Sequence, residues 1–346
     1  MHHRPSRGWT RHHGGANLKS GIICRRMIDE RECIAAHCSF QNTGISDAHP
    51  YHMPTDKKHK DKLIVVTGAT GRQGGAAMRH LRDRGFPVRA LTRNPDDPKA
   101  RLLFGQGVEV VRGDLEDEAS LVRALDGAYG VYSVQNWRAS DIEGEIRQGI
   151  RLADAAKRSR ISHFVYSSVA AADQRTGIPH FDSKFRVEEH IRGTGMRFTI
   201  VRPVFFMENW LGMRQGIQDG VLSLPLTPET HLQMVAVDDI GGWVAMAIEH
   251  SGRWQDRSYE LAGDELSMAE LTQVFARRLG REVRYRQVPW DEFEAQTGKE
   301  TTQMFRWFED MGYHVDISAV RQEYPRLTTF DHWLNSNWQP EARTAG

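Results

Sequence analysis

Cysteine is nearly missing from this chain of 346 residues: only Cys24, Cys33 and Cys38 occur. Three are too few for a disulfide framework in a chain this long, which argues against a stapled secreted scaffold. There is no excess of one charge either. Lys and Arg number 46, Asp and Glu 45, for a formal charge of +1. Without a global positive field, nucleic acid is disfavoured as a main partner. No apolar run approaches the roughly 20 residues that a membrane-crossing helix needs. What remains is an ordinary globular composition, 39% hydrophobic and 26% charged, long enough for one large domain or two modest ones. The expectation is a soluble, cytoplasmic protein with no nucleic acid and no membrane among its partners.

The first sixty residues are a different material. They hold half of the histidines (His2, His3, His12, His13, His37, His49, His52 and His59) and all three cysteines. A metal site built from Cys24, Cys33, His37 and Cys38 is disfavoured because the spacing forms no compact CxxC pair, and no metal is expected. Asp29, Glu30 and Glu32 argue against a transit peptide despite the Arg-rich start. No helical or strand period is sustained, so residues 1–60 are expected to be a disordered extension. Met53, followed by a polar lead into the first strand, reads as a candidate natural start.

From residue 62 the pattern becomes regular. Short apolar, β-branched runs at 62–67, 88–92, 108–112, 130–134, 163–167 and 197–201 alternate with helical periods, the clearest at about 142–159 and 181–192. That rhythm predicts an α/β fold: a doubly wound parallel sheet over 61–203, covered on both faces. A smaller C-terminal α/β domain, 204–340, follows and interleaves with the first. Helices are expected near 239–249, 268–279 and 330–335, and strands near 258–261 and 283–288.

The strongest chemical signal is the turn Gly68-Ala69-Thr70-Gly71-Arg72-Gln73-Gly74-Gly75. It lies between the first strand and the first helix, with a GxxGxxG spacing. The first glycine permits a sharp turn, the second a close approach of a diphosphate to the backbone, and the third tight helix–strand packing. The helix N-terminus adds unpaired N–H groups and partial positive charge. Dinucleotide binding is therefore expected. Strand two ends Leu91-Thr92-Arg93-Asn94, without the acid that would accept from a ribose 2′-OH. Arg93 offers a planar fork of donors to a 2′-phosphate, and Arg72 can flank it, so NADP(H) is expected in preference to NAD(H). Asp114, after strand three, either meets the adenine edge or caps the next helix.

Taken together, GATGRQGG (68–75), LTRNP (91–95), VVRGDLED (110–117), HFDSK (180–184) and VRP with FFMEN (201–209) resemble the NmrA-like family, atypical members of the short-chain dehydrogenase/reductase superfamily. The resemblance covers about residues 62–338. It implies a Rossmann domain that binds NADP(H) and a smaller C-terminal domain. It also implies roles for single residues. Gly68, Ala69, Thr70, Gly71, Arg72, Gln73 and Gly74 would surround the diphosphate. Arg93 and Asn94 would hold the 2′-phosphate, and Asp114 and Leu115 the adenine side. Gln135, Asn136 and Trp137 would line the ribose and nicotinamide path, with Lys184 on the nicotinamide ribose. Phe206, Met207, Glu208 and Asn209 would close over the nicotinamide.

The chain departs from a working short-chain dehydrogenase at one position. Such enzymes use Ser and Tyr-x-x-x-Lys, the phenol donating a proton as hydride arrives. Here a serine, Ser167 or Ser168, and Lys184 are retained, and His180 takes the tyrosine's place. Two expectations follow. The first is an NADP(H)-binding regulator that reports the NADPH/NADP+ ratio to a protein partner, as several family members do. The second is an NAD(P)H-dependent reductase of a small, apolar, quinone-like or enone-like substrate, using Lys184 or His180. A homodimer stays open in either case.

Overall fold

The protein's structure, a computed structural model, describes residues 59–338. The cysteines, the other clustered histidines and Met53 lie outside the described residues. The strands, in chain order, are β1 (Ile64–Thr67), β2 (Val88–Thr92), β3 (Glu109–Arg112), β4 (Gly130–Ser133), β5 (His163–Ser167), β6 (Phe198–Pro203), β7 (Phe205–Phe206), β8 (Val221–Leu224), β9 (His231–Val235), β10 (Arg257–Leu261), β11 (Asp264–Ser267) and β12 (Arg284–Gln287). Seven of them form one sheet in the order β3-β2-β1-β4-β5-β6-β10, and every pairing in it is parallel. The winding reverses between β1 and β4, where a crevice opens at the strands' carboxyl ends.

Burial on both faces explains the apolar strands. β1, β4, β5 and β6 are buried throughout, and successive side chains alternate between two cores. Ile64, Val66, Tyr132, Val165 and Val201 face one; Val65, Val131, Phe164, Tyr166 and Ile200 face the other. Each such aliphatic side chain contributes roughly 1.5–3 kcal/mol relative to exposure. The first core runs on into the C-terminal half. There the helix Val237–Glu249 packs on the helix Arg72–Asp83. A Cβ at Gly241 would lie 2.5 Å from the Ala76 backbone, so the two helices approach at a contact only glycine allows.

The expected elements recur with small shifts. The helix expected at 181–192 spans Pro179–Gly193, with proline in its first turn, where a missing N–H costs nothing. β10 gives the sheet its strand from the C-terminal half. The apolar stretch 205–213 is β7 followed by the 3₁₀ helix Met207–Met213. Three residues per turn stack Met207, Trp210 and Met213 on one face, and all three are buried. β8, β9 and β11 were not expected, nor were the helices Trp290–Thr297, Lys299–Asp310 and Ile317–Glu323. β9 pairs with β7 and β11, and β8 with β12, in two small sheets beside the main one. Among the described residues no helix is long and apolar enough to cross a membrane.

Candidate functional site

The turn after β1 has the shape its glycines suggest. Gly68 sits at φ +61, a conformation that glycine adopts without strain. A Cβ at Gly74 would lie 2.3 Å from the Gly68 carbonyl oxygen, so the third glycine is what lets the helix close onto the turn. Gly71 begins the helix Arg72–Asp83 with no capping side chain, and Gly68, Thr70 and Gly71 are exposed. Bare backbone beside a helix N-terminus is the surface a diphosphate requires. These residues fit the diphosphate of a dinucleotide.

At the end of β2, Arg93 and Asn94 are both exposed. The nearby acids are engaged elsewhere. Asp96 pairs with Arg101 at 3.2 Å, and Asp97 caps the helix Pro98–Gly105 through the Lys99 amide. Asn94 Oδ1 accepts from the Asp96 amide. After β3, Asp117 rather than Asp114 caps the helix Glu118–Leu125. Asp114 accepts from the Glu116 amide at 2.9 Å, so its carboxylate shapes the turn. The half-buried Leu115 packs against the second core, and its carbonyl accepts from Arg151.

Past β4 the chain turns through Gln135, which is buried and bonded to Ser133. Asn136 caps the short helix Trp137–Ser140. The Trp137 ring stacks on His180 with centroids 5.2 Å apart and planes 19° from parallel. Ser167, at the end of β5, donates to Gln73 Oε1 at 2.6 Å, and the Tyr132 hydroxyl donates to the same oxygen at 3.1 Å. Gln73 thus ties the glycine turn to the ends of β4 and β5. Tyr166 faces the opposite core, as strand alternation requires, and the Lys184 ammonium lies 6.0 Å from its ring centroid.

His180 and Lys184 lie in the same helix, four residues apart, and so share a face one turn apart. Each is held by a carboxylate. Lys184 Nζ donates to Glu145 Oε1 at 2.9 Å. Glu145 is wholly buried and takes a second bond from Ser183, at 2.6 Å. His180 Nδ1 lies 2.7 Å from Glu300 Oε1.

The segment 206–209 divides. Met207 is wholly buried in the core, while Phe206, Glu208 and Asn209 are half-buried. The Glu208 carboxylate accepts from the Val237 amide, at 3.1 Å to Oε2, and from Trp333 Nε1, at 2.9 Å to Oε1. It therefore caps the helix Val237–Glu249 and anchors the terminal helix Phe330–Asn337. Burial pushes its carboxyl above the usual range. Beside it, Gly71, Arg72, Val237 and Trp333 line a cleft of about 480 Å³.

The NmrA-like family model matches residues 60–334. The chain belongs to that family. An NAD(P)H azoreductase of Xenophilus azovorans is 31% identical over 227 residues, covering 64% of this chain and 76% of that protein. A triphenylmethane reductase of Citrobacter sp., solved with NADP(H), superposes with a TM-score of 0.70 at 23% identity, over 80% of this chain and 99% of that one. The negative transcriptional regulator NmrA, solved with NADP, gives 0.65 at 22% identity, over 79% and 94%. At these identities the two structures speak for the fold.

Two carboxylates of this NmrA-like chain escape sequence reasoning. Glu145 lies 39 residues from Lys184, and Glu300 lies 120 residues from His180. Neither falls in a motif. The one local signal was Glu145 in the apolar stripe of its own helix, between Gly144 and Ile146, both buried.

Proposed function

We propose that this protein binds NADP(H) at the glycine turn and uses it to reduce a small apolar acceptor of the enone or quinone type. The observation that carries the reading is the placement of His180 and Lys184 on one helix face, with Trp137 stacked on the imidazole. Ser167 stands at the end of β5, joined to the glycine turn through Gln73. A proton donor, a cation and an aromatic shelf thus gather at the sheet's carboxyl edge, where a doubly wound fold holds its ligand.

The diphosphate would lie on Gly68–Gly74, and Arg93 would meet the 2′-phosphate, which favours NADP(H) over NAD(H). Bound there, the reduced cofactor supplies hydride. The chain's own residues supply the proton and shield the site from water. The relative at 31% identity is named an azoreductase, whereas the likeness to the regulator, at 22%, is one of fold. That ordering favours a reductase over a ratio-sensing regulator with a protein partner.

The test is NADPH oxidation, followed by absorbance, against 1,4-naphthoquinone and cyclohex-2-enone, with NADPH affinity measured separately. Turnover within the ordinary enzyme range of about 1–1,000 per second supports the reductase. Tight NADPH binding without turnover of any acceptor would favour the regulator. No binding at millimolar NADPH would overturn both.

A further inference from the structure

The helix Lys299–Asp310, from the far end of the chain, sits over the start of the helix Pro179–Gly193 through three contacts. Gln303 donates to the Gly177 carbonyl at 2.7 Å. Trp307 meets Phe181 edge to face at 5.6 Å. Glu300 takes the His180 bond at 2.7 Å. The first two would hold the helix in place without the third. The third puts a carboxylate on one nitrogen of the histidine that replaces the expected tyrosine.

We propose that Glu300 is a positioning residue that makes His180 the proton donor of the reduction, a role that rests on the reductase reading above. A carboxylate oxygen only accepts, so Nδ1 carries the hydrogen in this pair and Nε2 is the nitrogen left for chemistry. Among the described residues Nε2 has no hydrogen-bond partner, and 13% of the side chain remains exposed. The stacked Trp137 ring on one face and the edge contact with Phe181, 5.0 Å between centroids, leave the imidazole little freedom to turn. The form that donates is the imidazolium, with Nδ1–H held by the carboxylate and Nε2–H free to leave. This is how a histidine takes over from a phenol: the phenol is a donor by itself, while the imidazole has two nitrogens and needs one of them fixed.

The step balances. With the reduced nicotinamide bound, the cofactor would supply hydride to form a C–H bond at the β-carbon of an enone and would itself be oxidised. The Nε2–H bond breaks, and its proton goes to the carbonyl oxygen to give the enol, which tautomerises in water. The neutral imidazole then regains a proton from solvent while Nδ1 stays bound to Glu300. With a quinone, the same hydride and proton give the hydroquinone.

The experiment compares Glu300→Gln, Glu300→Ala and Glu300→Asp with the parent, using cyclohex-2-enone and 1,4-naphthoquinone as acceptors. Glu300→Gln can reverse the bond by donating its amide to Nδ1, and so move the hydrogen to Nε2. Both Gln and Ala should lower kcat at least about tenfold, within the range of general-acid effects. KM and the NADPH dissociation constant should stay within about twofold, and Asp should recover part of the rate. A readout independent of turnover is the nitrogen-15 spectrum of the His180 ring without cofactor. The parent should show Nδ1 protonated whether or not Nε2 also carries its proton, and Glu300→Gln should shift the neutral ring toward Nε2–H. A ring spectrum unchanged by the substitution, or a loss confined to KM, would overturn the positioning role and leave the reductase reading standing. A parent that turns over neither acceptor while binding NADPH would overturn both.

Discussion

Lys184 donates to Glu145 across 2.9 Å, and the glutamate has no exposed surface. The lysine that motif reasoning assigns to ribose or catalysis is thus also the counter-ion of a carboxylate inside the protein. Removing one partner of a buried pair leaves an uncompensated charge and typically costs about 3–5 kcal/mol. Lys184→Ala should therefore lower the urea midpoint strongly, whatever it does to turnover. Glu145→Gln combined with Lys184→Met should recover much of that stability, because the amide can still accept from Ser183. If Lys184→Ala unfolds at the parent's urea concentration, the carboxylate is not dependent on the lysine. The consequence for kinetics is direct: a rate lost in Lys184→Ala counts as chemistry only after the folded fraction has been measured.

Arg93 gives the cofactor test. Its side chain is exposed, and the acids that follow it are bound to Arg101 and to a helix start. Arg93→Ala should weaken NADPH by tenfold or more, since a hydrogen bond to a charged group contributes about 1.5–3 kcal/mol. NADH, which lacks the 2′-phosphate, should change little. Isothermal titration of both cofactors decides the matter, and equal losses would show that Arg93 does not read the phosphate.

Gly74 tests the cradle. A Cβ there would sit 2.3 Å from the Gly68 carbonyl oxygen and 2.5 Å from that of Thr67. Both are backbone atoms, so the clash can be relieved only by moving the helix Arg72–Asp83 away from β1. Gly74→Ala should cost about 1–3 kcal/mol of stability, the usual range for overpacking, and should abolish detectable NADPH binding at micromolar cofactor. Gly127→Ala is the control, because it lies at positive φ with open space around it. It should lose some stability and keep the cofactor.

What the sequence revealed and what it concealed follow from the range of the interactions. The strands were legible because burial on both faces forces continuous apolar runs such as 64–67, and the glycine turn because backbone geometry is local. The period at 181–192 revealed the body of its helix, but not the first turn at Pro179. The burial of Met207 was not legible because a 3₁₀ helix buries every third residue, a period that neither strand nor α-helix reasoning looks for. Asp117 displaced Asp114 as the cap because two acids three residues apart offer the same signal. Glu145 and Glu300 stayed hidden because a buried charge is recognised by its partner, and the partners are brought near only by the fold.

His163 supplies the pH dependence. It is buried on β5, with Nε2 2.8 Å from Thr199 Oγ1. That hydroxyl donates to the Trp254 carbonyl, so Nε2 is the donor toward it. Burial, reinforced by Arg197, holds the imidazole down at about 4 against an ordinary 6.5. The unfolded chain takes up a proton below 6.5 and the native one does not until about 4, so stability is full above 6.5 and falls as pH drops through that window. Asp239 works the other way: burial pushes it up to about 6, so acidification below that value favours the native state. Total stability therefore mixes the two, and the comparison must be between the parent and His163→Gln, whose amide can still donate to Thr199. Between about pH 7.5 and about pH 5 the stability advantage of the parent over this variant should shrink by about 2 kcal/mol, at 1.36 kcal/mol per unit. Urea titrations at the two pH values measure it, and an advantage that does not change with pH would show that the histidine is protonated in the folded protein.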